Sequence, residues 1–132
     1  MNIDWNKIKN EYPESWYDFL EYIYRKKQGI DDNFSLSINF IKNIDIRILY
    51  LCYCDIEKYF DDNEININIY FSHNRWINTN IESFAEIKNE RGNIIWITET
   101  YKTRREAKEQ AIYKAFEILK NILIERNINN VF

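Results

Sequence analysis

The sequence predicts an α+β domain: a three-stranded antiparallel sheet with helices on one face, in the order α-β-β-β-α over residues 45–125, preceded by an N-terminal helix and extension over residues 1–44. Three observations predict it. Residues Thr103 to Leu123 read as a capped helix with alanine on one side of its apolar arc. Residues Ile65 to Phe71 alternate strictly between apolar and polar. Two further strand-like segments flank Arg91-Gly92-Asn93, a natural hairpin turn. With 132 residues, one domain spanning 1–132 is expected, large enough to bury a core.

Each element follows from local chemistry. Pro13 opens the first helix at about N1, where a missing N–H costs nothing. Trp16, Phe19, Leu20 and Ile23 then recur at helical spacing. Arg25, Lys26 and Lys27 suit the last turn, and Gly29 is a stop signal. Phe34, Leu36, Ile38 and Phe40 alternate with serine and asparagine, which predicts a short strand. From Asp45 to Asp61, Ile48, Cys52, Ile56 and Phe60 recur every fourth residue, favouring a helix capped by Asp45, although Ile46 to Tyr53 alone also fits a buried strand. The alternation of Ile65, Ile67, Ile69 and Phe71 predicts a half-buried strand. Ser72 to Glu82 reads as a polar loop, and Phe84 to Lys88 with Ile94 to Tyr101 as the hairpin.

The closing helix begins with a capping box, Thr103 at N-cap and Glu106 at N3. At about 100° per residue, Ala107, Ala111, Ala115, Ile118 and Ile122 share one side of the apolar arc. Ile112, Phe116, Leu119 and Leu123 share the other. The three alanines allow a close approach, expected to be against the sheet.

Composition narrows the function. Apolar residues make up 45% and aromatics 17%, too many for a disordered chain. Eighteen basic against 21 acidic side chains give a net charge of -3, so nucleic-acid binding would need a local basic patch. An acidic surface equally suits a basic protein partner. No apolar run approaches the ~20 residues that span a bilayer, and Asn2, Asp4 and Asn6 do not resemble a secretion signal. Cys52 and Cys54, two residues apart, suggest reduced thiols in a cytoplasmic setting, buried or half-buried as structural residues. The Ile-, Asn-, Lys- and Tyr-rich usage hints at an AT-rich genome.

The strongest motif is Arg104-Arg105-x-Ala107-Lys108, followed by Ala111, Ala115 and Leu119. With the element order over 45–123, it resembles the double-stranded-RNA-binding domain. The resemblance implies that Arg104, Arg105 and Lys108 contact phosphates across a groove, reading shape more than sequence. The family's glycine-rich approach to this helix is replaced here by Thr98-Glu99-Thr100-Tyr101-Lys102, and Glu99, Glu106 and Glu109 dilute the basic charge.

A second resemblance rests on Asp55-Ile56-x-Lys58-Tyr59-Phe60-Asp61 leading into Ile65-x-Ile67-x-Ile69, closed by Ala111 to Leu119. This pattern resembles small phage and prophage proteins of Bacteroidota. Such proteins often act by occupying a host protein or ribonucleoprotein, and some inhibit CRISPR nucleases. The resemblance therefore implies a non-enzymatic inhibitor in the host cytoplasm, with a type VI-B RNA-guided RNA nuclease as one target. The alternative is a stand-alone module for structured RNA.

Candidate partner-binding residues are Arg75 and Trp76, since an aromatic among Ser, His, Asn and Thr is poorly suited to a core. Trp16 and Trp96 are expected in the core. Asp55, Glu57, Asp61, Asp62 and Glu64 read as a solvated helix end, or as a mimic of nucleic-acid charge. Catalysis finds little support. His73 is the sole histidine, and two cysteines without a second cluster do not make a zinc site. The only glycines, Gly29 and Gly92, make no phosphate loop. Glu86-Ile87-Lys88 resembles the E-x-K element of metal-dependent nucleases, but its further carboxylate, Asp62 or Glu64, is loosely placed. No catalytic residue, metal or cofactor is expected.

Overall fold

The computed structural model describes residues 2–31, 33–73 and 81–131. Helices α1 (Trp5–Glu11) and α2 (Pro13–Gln28) come first, then the short α3 (Ile38–Lys42) and a 3-10 turn at Ile46–Leu49. Helix α4 (Tyr53–Asp62) leads into strands β1 (Asn66–His73), β2 (Ile81–Lys88) and β3 (Ile94–Ile97), and α5 (Arg104–Val131) closes the chain. This is an α+β fold with a three-stranded antiparallel sheet in the order β1-β2-β3, as the sequence predicts. The chain forms two compact units, Ile3–Tyr59 with Phe116–Phe132, and Phe60–Ala115. The divisions fall inside α4 and α5.

The first unit is built from helices. Asp4 caps α1 by accepting from the Lys7 N–H at 3.1 Å. Pro13 starts α2, and Gly29 ends it in the left-handed region at φ 64°, donating to the Arg25 carbonyl. An aromatic cluster fills the interior: Phe19 lies 5.9 Å from Trp5, 6.1 Å from Trp16, 5.1 Å from Tyr59 and 5.4 Å from Phe116, centroid to centroid. Around it Ile8, Leu20, Ile23, Leu49, Ile56 and Leu119 are buried. The buried Ser15 hydroxyl donates to the Phe116 carbonyl at 2.9 Å, tying α2 to α5. The N-terminal helices therefore share one core with the C-terminal half of α5.

Two local expectations are corrected here. Residues Phe34 to Phe40 form no strand: 34–37 are irregular, and Ser37 caps α3 by accepting from the Phe40 N–H at 3.2 Å. A strand needs a ladder partner, whereas a cap needs only a hydroxyl three residues away. The helix expected from Asp45 is interrupted. Asp45 caps the 3-10 turn, Tyr50 follows at φ 48°, and the chain restarts with Asp55 accepting from the Cys52 N–H at 3.0 Å. The restart takes Ile48 out of register, so it is exposed while Ile56 and Phe60 are buried.

The second unit holds the sheet. In the register Ile67↔Ile87 and Ile69↔Ala85, paired side chains share a face. That face covers the amino-terminal part of α5: Ala85, Ala107 and Ala111 are fully buried, with Ile67, Ile69, Trp96 and Tyr101 packed against them. The expected hairpin is present. Asn89 organises its turn, accepting through Oδ1 from the Arg91 and Asn93 N–H groups at 3.0 Å each, and Gly92 takes φ 79°. Trp16 is buried and Trp96 half-buried, both in cores.

Candidate interaction surfaces

The predicted phosphate-binding residues lie at the start of α5. Thr103 Oγ1 accepts from the Glu106 N–H at 3.2 Å, the cap that its spacing predicts. Arg104 and Arg105 are exposed and Lys108 is half-buried. The structure brings the three onto adjacent turns, but not as bare cations. The Arg104 guanidinium lies 5.4 Å from the centroid of the exposed Phe71 ring, and Arg105 Nε lies 3.9 Å from Glu109 Oε1. Arg75 and Trp76 lie outside the described residues.

The first unit presents a surface that the sequence reading missed. Tyr24, Phe40, Asn43, Ile44, Asp45 and Ile48 line a groove of about 330 Å³. The Tyr24 and Phe40 rings meet edge-on at 5.2 Å. Within the same stretch of chain, Phe34, Ile38, Phe40, Ile48 and Tyr50 are all exposed, Tyr50 at 88%. Phe34 to Phe40 alternate like a strand and Ile48 fits a helical spacing, and neither pattern tells that these side chains are left exposed. Asp45 marks the polar rim: it bridges Arg47, with 2.8 Å between Nη2 and Oδ2, and these hydrogen bonds hold its carboxyl below the usual range.

A second cleft of about 350 Å³ has a different character, lined by Glu14, Asp18 and Glu21 of α2, Ile38 and Ile41 of α3 and Leu123 of α5. Glu21 is bridged to Arg25 at 3.0 Å. The Tyr59 hydroxyl donates to Asp18 Oδ2 at 2.6 Å. Burial raises the Asp18 carboxyl above its ordinary value, against the lowering effect of that hydrogen bond. Burial, then the Asp18 charge, raises the Tyr59 phenol strongly.

Of the E-x-K pattern, Glu86 and Lys88 lie on β2. Lys88 Nζ lies 3.8 Å from Glu86 Oε2 and 3.4 Å from the Tyr70 hydroxyl on the sheet face away from the alanine cluster. Among the described residues, no three His, Cys, Asp or Glu side chains gather where they could hold a metal. Cys52 and Cys54 are exposed, contrary to the expectation of buried thiols, because the inward side of α4 is taken by Ile56, Tyr59 and Phe60. The Cys52 thiol donates to Asp55 Oδ2 at 3.4 Å. No described helix is long and apolar enough to cross a membrane. Comparison with protein-family models, curated proteins and solved structures finds no match to this chain.

Proposed function

We propose that this chain is a non-enzymatic binding protein that acts by occupying a partner protein, with the groove between Tyr24, Phe40 and Ile48 as its contact surface. One observation carries the reading: five large apolar side chains between residues 34 and 50 face solvent beside a groove they partly line. A contiguous apolar patch is left exposed at a cost in solubility, which a bound partner relieves. The resemblance to small phage proteins makes a cytoplasmic host protein or ribonucleoprotein the first class to test, CRISPR RNA-guided nucleases of type VI-B among them.

The test is affinity capture from host lysate, followed by titration of the retained protein in purified form. Wild type is compared with Ile48→Asp, Phe40→Asp and a triple reversal of Arg104, Arg105 and Lys108. Capture lost in the groove variants and kept in the triple reversal supports the reading. Capture indifferent to both groove variants, or no specific partner at all, sinks it.

A second reading is a structured-RNA module, favoured by the exposure of Arg104 and Arg105 at the start of α5. Duplex RNA titrated at two salt concentrations separates the two. Phosphate-driven binding weakens steeply with salt and vanishes in the triple reversal. The ion pair of Arg105 and the aromatic contact of Arg104 place this reading second.

A further inference from the structure

We draw no further inference here: the strongest candidate, the cleft lined by Glu14, Asp18 and Glu21 of α2 with Ile38 and Ile41 of α3, is an acidic cluster in which Arg25 bridges Glu21 and the Tyr59 hydroxyl donates to Asp18, and nothing among the described residues points to a ligand for it.

Discussion

The two units differ in what meets at one point of their interiors: rings in the first, alanines in the second. In the first, Trp16, Phe19, Tyr59 and Phe116 interlock, and volume does the filling. In the second, Ala85, Ala107 and Ala111 meet at the centre, with Ile67, Ile69, Trp96 and Tyr101 packed around them. Helix α5 takes part in both, supplying Ala107, Ala111, Ile112 and Ala115 to the second and Phe116 and Leu119 to the first. Truncation should therefore damage one unit and enlargement the other, since an emptied aromatic site leaves a cavity whereas an enlarged alanine forces two elements apart.

The sharpest way to break this comparison is Phe19→Ala. Phe19 is fully buried against four rings, so a loss of about 3–5 kcal/mol is expected in a urea melt. A loss under about 1 kcal/mol would show the cluster collapsing to fill the hole, and the contrast with the alanine site would fail. Ala111→Leu tests the other side. It should cost about 1–3 kcal/mol by overpacking, although it adds apolar surface. A stabilised variant would mean that the sheet and α5 have room between them.

Ser15→Ala sharpens the first unit's account. It removes the buried hydroxyl that reaches the Phe116 carbonyl, at an expected cost of about 1 kcal/mol in the same melt. An unchanged midpoint would leave the aromatic packing alone to hold α2 against α5.

The smallest effects are in pH. The folded carboxyl of Asp18 is raised by burial, so the folded state binds its proton more tightly than the unfolded chain. Its contribution is greatest below the unfolded value of about 3.9 and is lost as pH rises through the folded value. Asp55 runs the other way. Although burial pushes it up, hydrogen bonds from the Cys52 N–H and Lys27 leave its carboxyl lowered. Its contribution is present above about 3.9 and is lost as pH falls through the folded value. Stability of wild type relative to Asp18→Asn should thus fall with rising pH, and relative to Asp55→Asn should rise. Melts between pH 3 and 7 check both, and slopes of one sign would refute the assignment.

Much of this structure is legible in the sequence wherever the cause lies within a few residues. The Thr103 cap, Pro13 at the start of α2, Gly29 at its end and the Asn89–Asn93 turn each depend on a backbone group and a side chain three or four positions away. The alternation from Ile65 to Phe71 likewise finds its β1 strand. The basic start of α5 was readable as a motif, but its contacts with Phe71 and Glu109 were not, because Phe71 is far away in sequence and rotamers choose among partners.

Other features were decided by tertiary structure alone. Phe34 to Phe40 has the period of a strand, yet only a neighbouring ladder could make it one, and no described strand pairs with it. The break at Tyr50 leaves Ile48 exposed while Ile56 is buried, an outcome that the shared four-residue spacing did not distinguish. The exposed groove is the consequence: its apolar residues carry the same hydrophobicity as those in the core. Sequence by itself determined caps, turns and periods, because these are short-range free energies. Burial and exposure were left to the fold, because they depend on what the rest of the chain brings alongside.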